Sequence, residues 1–134
     1  MSPFFQKGMN YMTIIEAINK IDNLKPNDYT QSEKIEWLSR LDGMIKKEVI
    51  DTHIGSDKVI FNGYTEETPL NTVLLVGEPY DDMYISWLEA KIDYSNSEYV
   101  KYNNSITKFN DTYSAFSKYY NRQNMPKGTN FQYF

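Results

Sequence analysis

The sequence predicts a mainly α-helical domain with about four helices and a small β-hairpin or arm. Apolar residues recur at steps of three and four over most of the chain after residue 12, which is the spacing of one helix face. Between residues 57 and 77 the pattern changes to short β-prone runs separated by turn-forming residues. A length of 134 residues suffices for one domain with a core, but not for two. The predicted helices span 13–24, 30–52, 80–95 and 97–122.

The first predicted helix, 13–24, begins with a capping box. The Thr13 hydroxyl and the Glu16 carboxylate are three residues apart, the spacing at which each accepts a hydrogen bond from an otherwise unpaired backbone N–H. Pro26 ends this helix, because proline lacks the N–H that a helix interior requires. Residues 1–12 show no periodicity, so we expect them to form a loose leader before a single helical domain, 13–122.

The second predicted helix, 30–52, has the same signal from Thr30 to Glu33. Gly43 in its middle costs on the order of 1 kcal/mol relative to alanine, so it marks a close contact or a bend. The apolar face contains Ile35, Trp37, Leu38, Leu41, Met44, Ile45 and Val49. The opposite face carries Lys34, Glu36, Arg40, Lys46 and Lys47.

A β-hairpin or arm is predicted for 57–77, inserted in the helical domain. Lys58–Phe61 and Thr72–Val76 are β-prone, and Asn62-Gly63 between them is a tight-turn signal. A lone two-stranded ribbon is only marginally stable in water, so it must lean on the helices or on another subunit. We therefore expect contacts with other proteins from this arm, through Val59, Ile60, Phe61 and Tyr64.

The stretch between Pro79 and Pro126 contains no glycine or proline and carries the longest helical pattern. Its apolar seam keeps steps of three and four over 36 residues, and only Ser95 interrupts its apolar character. Ser95-Asn96-Ser97 consists of weak helix formers and is the expected hinge between two helices. The seam contains Ile85, Leu88, Ile92, Ser95, Tyr99, Tyr102, Ile106, Phe109, Tyr113, Phe116 and Tyr120. After it we expect a flexible tail, 123–134, with Phe131, Tyr133 and Phe134 as further contact residues.

The seam has two interpretations. It is either a core face packed on the helix of 30–52, which we favour, or a surface between subunits, where tyrosine is common because it is partly apolar and partly polar. Dimeric coiled coils prefer Ile, Val and Leu at such positions, so a simple zipper is not expected. A stacking platform for nucleic acid requires interleaved basic residues, whereas 80–125 carries five basic and six acidic ones.

Composition argues against most catalytic and metal chemistry. The chain has no cysteine and one histidine, His53, which excludes disulfides and thiolate sites and most histidine-based catalysis. It has no glycine-rich phosphate loop and none of the common catalytic motifs. The unusual feature is the aromatic content, 12 Tyr, 7 Phe and 2 Trp. We therefore expect a surface or assembly protein, with no enzymatic activity, no cofactor and no metal.

Two acidic clusters are candidate sites. Glu78, Asp81 and Asp82 could form a carboxylate metal site, but they also suit the N-terminal turn of a helix, where carboxylates meet the positive end of the dipole. We favour the helix start. Asp51 and His53 could form an acid–base pair, but residues two apart do not face each other on a helix. We expect His53 to be a surface residue at a helix end.

Charge and hydropathy argue against two classes of partner, nucleic acids and membranes. The net charge is −4, so no strong basic field is present to hold a phosphate backbone. The longest apolar run, Val73–Val76, is far shorter than the roughly 20 residues of a membrane span. We expect an intracellular, reducing location and no membrane partner.

Several short motifs together resemble a family of small proteins from phages and prophages of Gram-positive bacteria, the head–tail connector or head-completion adaptor proteins. The similarity covers about residues 12–126. The motifs are Met12-Thr13-Ile14-Ile15-Glu16-Ala17, Trp37–Gly43, Pro79–Asp82, Trp87–Asp93, Tyr120–Arg122 and Met125-Pro126.

The resemblance implies a mostly helical adaptor that forms a ring beneath the portal and docks neck or tail proteins. Its partners would be the portal, the neck or tail proteins and further copies of itself, with DNA only as passing cargo. Its place would be the host cytoplasm during assembly, and then the virion neck. The alternative is a small intracellular helical module that binds a protein or DNA. A basic surface made by Lys34, Arg40, Lys46 and Lys47 would distinguish this alternative.

Overall fold

The computed structural model describes residues 9–128 and has the predicted fold class, a small helical domain with a two-stranded antiparallel sheet. Short 3-10 turns follow the second helix at Ile50–Thr52 and Ser56–Lys58. In chain order the strands and α-helices are β1 (Tyr11–Thr13), α1 (Ile14–Leu24), α2 (Gln31–Glu48), β2 (Val73–Gly77), α3 (Asp82–Ser95) and α4 (Tyr99–Gln123).

Both predicted capping boxes are confirmed. Thr13 Oγ1 accepts a hydrogen bond from the N–H of Glu16, and the Glu16 carboxylate accepts one from the N–H of Thr13. Thr30 and Glu33 make the same reciprocal pair at the start of α2. Two backbone donors that a helix leaves unpaired are thus satisfied at the start of each helix. These local bonds explain why the starts of α1 and α2 lie close to where the sequence predicts them.

The sheet joins β2 to β1 instead of to the predicted strand at 58–61. Tyr11 pairs with Gly77 and Thr13 with Val73. Gly77 allows the close approach, because a Cβ there would lie 2.8 Å from the carbonyl oxygen of Asn10. The prediction of a hairpin at 57–77 is therefore wrong in its pairing, although a two-stranded antiparallel sheet is present.

Residues 58–61 do not form a strand because their neighbours turn the chain elsewhere. Gly55, with φ of 92°, leads into the second 3-10 turn, and Val59 is buried in the core. Gly63, with φ of 89°, then turns the backbone so that the N–H of Tyr64 donates to Ser39 Oγ on α2. The arm is consequently packed along α2.

The predicted leader, 1–12, also contributes to the fold. Tyr11 and Met12 belong to β1, and Met12 is buried. Directly after the strand, the N–H groups of Ile14 and Ile15 donate to the carbonyls of Thr72 and Leu70. The unpaired donors of the first turn of α1 thus find acceptors just before β2, which ties the start of the domain to the strand.

The long apolar seam forms two antiparallel helices. The turn at 96–98 contains Ser97 with φ of 60°, so the predicted hinge at 95–97 is confirmed. Ring contacts follow the antiparallel order, with centroids 5.3 Å apart for Tyr94–Tyr102, 5.0 Å for Trp87–Phe109 and 5.9 Å for Tyr80–Phe116. The seam therefore lies mainly between α3 and α4. The packing that we favoured from the sequence, on the helix of 30–52, makes the smaller contribution.

We call the end of this helical hairpin near Tyr94 and Tyr102 the tip, and the end near Tyr80 and Phe116 the base. At the base, Phe116 and Tyr120 are buried, and Tyr120 meets the ring of His53 at 4.8 Å. The main core continues from there to α1, α2 and β2. Its fully enclosed side chains include Ile14, Ile21, Leu38, Leu41, Ile45, Leu74, Met83, Tyr84, Leu88 and Ile92.

Candidate functional site

An open groove with aromatic walls lies at the tip of the hairpin, between α2, α3 and α4. Its volume is about 440 Å³, which is within the range of ligand pockets. We call it the tip groove. It is lined by Trp37, Trp87, Ala90, Lys91, Tyr94, Ser95, Tyr102 and Ile106.

The tryptophans of the tip groove are fixed from behind. Trp87 Nε1–H donates to the carbonyl oxygen of Trp37 at 2.8 Å, which links α3 to α2. The ring of Phe109 on α4 lies 5.0 Å from Trp87, and the ring of Tyr29 lies 5.5 Å from Trp37. Each indole is thus held by contacts outside the groove, so the aromatic wall is preorganised.

Lys91 supplies the one positive charge among the lining residues. Its Nζ lies 4.6 Å above the ring of Trp87 in a cation–π contact. Partial burial and, to a smaller extent, the nearby charge of Arg40 lower the pKa of Lys91. The positive charges of Lys91 and Arg40 disfavour a further cation in the groove and favour electron-rich groups.

The aromatic surface continues from the groove over the tip. Tyr94, Tyr99 and Val100 are 58%, 55% and 78% exposed. Tyr94 contacts the rings of Tyr99 and Tyr102 at 5.7 and 5.3 Å. Contiguous exposed apolar surface of this kind is typical of sites where proteins bind other molecules.

A buried charge holds the tip together from inside. Asp93 is fully buried and accepts from Lys25 Nζ at 2.6 Å and from Ser105 Oγ at 2.8 Å. These contacts join α3 to α4 and to the residue after α1. The rigid support under the tip groove therefore does not use the aromatic residues on the surface, which leaves those rings available for binding.

A second buried carboxylate, Asp42 on α2, ties the arm and β2 to the helices. It accepts from the hydroxyls of Tyr64 and Tyr84 and from the N–H of Leu75. The Tyr84 hydroxyl accepts in turn from the N–H of Val76. Burial raises the pKa of Asp42 to about 6, although its three donors act in the opposite direction. The donors come from the arm, from α3 and from β2, so the cluster joins these three parts to α2 inside the core.

The predicted contact residues of the arm mostly face inward. Val59 is buried, Phe61 and Tyr64 pack against the core, and their rings meet edge to face at 5.0 Å. Only Ile60 of the four is largely exposed, at 77%. The remaining predicted contact residues, Phe131, Tyr133 and Phe134, lie outside the described residues.

His53 is buried, at 2% exposure, so the prediction of a surface histidine is wrong. Its Nδ1 lies 2.6 Å from the carbonyl oxygen of Val49, and its Nε2 lies 2.6 Å from Asn121 Oδ1. The sequence could not show this, because the partner on α4 is 68 residues away. His53 acts as a polar bridge in the base of the hairpin.

The acidic cluster of Glu78, Asp81 and Asp82 lies at the start of α3, as predicted. Asp82 is the first residue of α3 and Asp81 occupies the N-cap position, where its side chain makes no capping hydrogen bond. Partial burial, with smaller contributions from the charges of Asp82 and Glu78, raises the pKa of Asp81. Within residues 9–128, no group of three or more acidic, histidine or cysteine residues is arranged to hold a metal ion.

The predicted basic face of α2 is largely neutralised. Lys34 is buried and lies 2.7 Å from Asp22, Arg40 lies 3.0 Å from Glu36, and Lys46 pairs with Asp51. Such pairs leave little net field for attracting a polyanion.

Sequence reasoning missed the tip groove, although it identified some of the residues. Tyr102 and Ile106 belong to the predicted seam and Trp37 to the face of α2, but Trp87 and Lys91 were noted only within a motif of the family resemblance and not as site residues. The missing signal was that Trp87 and Lys91, four residues apart, lie on one face of α3. Their position beside Trp37 depends on how three helices pack.

None of the helices in the described range combines the length and apolar character that a membrane span requires. Comparison with known proteins finds no family model, no curated protein and no solved structure that matches the chain.

Proposed function

We propose that this chain is a non-enzymatic virion assembly protein, a head–tail connector adaptor that forms a ring under the portal and docks neck or tail proteins. The observation that carries the proposal is the exposed apolar surface of the tip, formed by Tyr94, Tyr99 and Val100 beside the aromatic tip groove. Aromatic residues that are exposed together and supported by a rigid fold are typical of protein–protein interfaces.

The chemistry of the tip groove supports binding more than turnover. Its lining includes no carboxylate and no histidine, and Lys91 and Ser95 are its only polar residues without an aromatic ring. General acid–base catalysis usually requires a pair of groups with matched protonation states. Aromatic walls of this kind instead bury apolar side chains of a partner.

The charge distribution supports an adaptor more than the alternative module that binds DNA. That alternative depends on a basic α2 face, and Lys34, Arg40 and Lys46 are each paired with a carboxylate. A net charge of −4 also suits a ring through which DNA passes without being gripped. In this proposal the protein acts in the host cytoplasm during assembly and then in the virion neck, with DNA only as passing cargo.

The test is to measure the mass of the purified full chain by sedimentation, alone and mixed with the portal protein of its phage. A ring that appears with the portal, and copies that cross-link to one another within it, would support the proposal. A chain that stays monomeric at every concentration and binds neither portal nor neck proteins would overturn it. Salt-dependent binding of duplex DNA in a gel-shift assay would favour the alternative.

A further inference from the structure

Lys91 is a half-buried cation in the wall of the tip groove, and within residues 9–128 no carboxylate forms an ion pair with it. Its Nζ lies over the ring of Trp87 instead, 4.6 Å from the centroid. On the facing helix α4, by contrast, Lys108 lies 3.4 Å from the Glu89 carboxylate. The groove thus carries a positive charge for which the described part of the chain supplies no counter-charge.

The surroundings of Lys91 add to the cost of this charge. Partial burial lowers the pKa of Lys91, and the nearby cation Arg40 lowers it further, so both act against the charged form. Arg40 itself pairs with Glu36 at 3.0 Å. A carboxylate beside Lys91 would stabilise the ammonium and accept a charge-assisted hydrogen bond from it. Because the groove is open, such a carboxylate keeps part of its hydration, which limits its own desolvation cost.

The rest of the tip groove suits an apolar side chain. The rings of Trp37, Trp87 and Tyr102 line it together with Ile106, and aromatic side chains pack favourably on such rings. Tyr94 belongs both to the groove and to the outer surface of the tip, where it is 58% exposed. The groove is therefore continuous with the exposed apolar surface, so an occupant can extend beyond it as a peptide chain does.

We propose that the tip groove binds a peptide segment of the protein that docks on this chain, with an aromatic side chain packed on the tryptophans and an aspartate or glutamate carboxylate paired with Lys91. The inference rests on the proposed function, in which neck or tail proteins dock, and names the chemistry of the docked segment. Nucleic acid fits less well, because a phosphate backbone requires several basic groups and Lys91 is the one cation among the described lining residues.

The two tryptophans of the chain, Trp37 and Trp87, both line the groove, so their indole N–H signals in NMR spectra of the full chain report on its occupancy. The probes are the peptide acetyl-Phe-Ser-Glu-amide and its glutamine analogue. Each places the ring and the third side chain on the same side of an extended chain, and the two differ only in charge. We expect the glutamate peptide to bind about fivefold more tightly, the upper end for a partly exposed ion pair. Equal dissociation constants, or indole signals that neither peptide moves, would overturn the proposal.

A pair of variants identifies the partner of the carboxylate. Lys91→Met removes the charge but keeps an unbranched apolar side chain, so it should bind the two peptides equally. Lys118→Met is the matched control, with the same change in net charge at an exposed position in the base half of α4, and should keep the preference for glutamate. Binding of the glutamine analogue should be unchanged in both variants, which shows that the groove is formed. A preference that survives in Lys91→Met would show that the carboxylate does not meet Lys91.

Two further probes separate the peptide from other occupants. Phenylacetate has a ring and a carboxylate but no peptide chain, and it should bind more weakly than the glutamate peptide. If it binds as tightly, the groove takes a small aromatic acid and the proposal of a docked segment fails. A short oligonucleotide of thymidines should leave the indole signals unmoved. If it moves them more strongly than the glutamate peptide does, the groove stacks bases and the proposal also fails.

The portal experiment distinguishes this inference from the proposed function. If rings form on the portal but the groove shows no preference for the glutamate peptide, the inference falls and the adaptor function stands. If the preference is present and depends on Lys91, but the natural chain forms no ring with the portal, the groove assignment stands and the connector function falls.

Discussion

The two ends of the α3–α4 hairpin are built from the same residue types but differ in what covers them. At the base, Phe116 and Tyr120 are 3% and 4% exposed and pack against Tyr80 and His53. At the tip, Tyr94 and Tyr99 are more than half exposed. Aromatic content therefore does not by itself separate core from interface in this protein.

The difference lies in the supporting elements. The base is covered by residues of β1 and β2 and by Tyr80, and His53 bridges to Asn121. At the tip, the interior is held by Asp93 with Lys25 and Ser105. Because polar bonds hold the tip together, its rings can remain exposed without weakening the hairpin.

The largest expected effect follows from truncating the base. Phe116→Ala removes a buried ring that contacts Tyr80 and Tyr120, and such changes cost about 3–5 kcal/mol. Urea unfolding followed by circular dichroism measures the loss. Val100→Ala at the tip, where the side chain is 78% exposed, is the control and should change stability by less than about 0.5 kcal/mol. Equal unfolding midpoints for the two variants would show that the base and the tip do not differ in their contribution to stability.

The second effect concerns Asp42, which fastens Tyr84 on the base half of α3 to α2. Its pKa is about 6 in the folded chain, compared with 3.8 for an aspartate side chain in water. Between these values the folded state binds more protons than the unfolded state, so unfolding releases a proton and stability falls as pH rises. The total loss is on the order of 3 kcal/mol, most of it falls between pH 4 and pH 6, and it is complete by about pH 7.

The measurement for Asp42 is the free energy of unfolding at several pH values from 4 to 7, for the natural chain and for Asp42→Asn. The asparagine variant keeps an acceptor for the tyrosine hydroxyls but does not titrate. The difference between the two chains should therefore decrease toward high pH, since only the natural chain carries the cost of an ionised, buried carboxylate there. A difference that is constant with pH would show that Asp42 does not titrate in this range.

The sequence predicted the parts of the fold that depend on neighbours along the chain. The capping residues Thr13 and Thr30 act within one turn, and the hinge at 95–97 follows from weak helix formers. It could not predict β1, because a strand of three residues has no periodicity and its partner lies about 60 residues away. The tip groove was missed for the same physical reason, since its walls come from three helices.

The smallest expected effect on stability is at the tip, where the proposed function predicts a large effect on assembly. Tyr99→Ser/Val100→Ser removes two exposed side chains at the start of α4, so we expect a change in unfolding free energy of less than about 1 kcal/mol. In the ring formed with the portal, the same variant should associate at least about tenfold more weakly, because truncating central aromatic contacts typically costs more than 1 kcal/mol of binding. Sedimentation with increasing protein concentration measures the change.

A matched control separates loss of the tip surface from general effects of substitution on α4. Ala115 is exposed on the same helix, toward the base. Ala115→Ser should lower stability by no more than about 0.5 kcal/mol and leave association unchanged. If it weakens association as much as the tip variant does, the contact is not specific to the tip. If neither variant changes association, the exposed aromatics at the tip are not an interface, and base and tip differ only in packing.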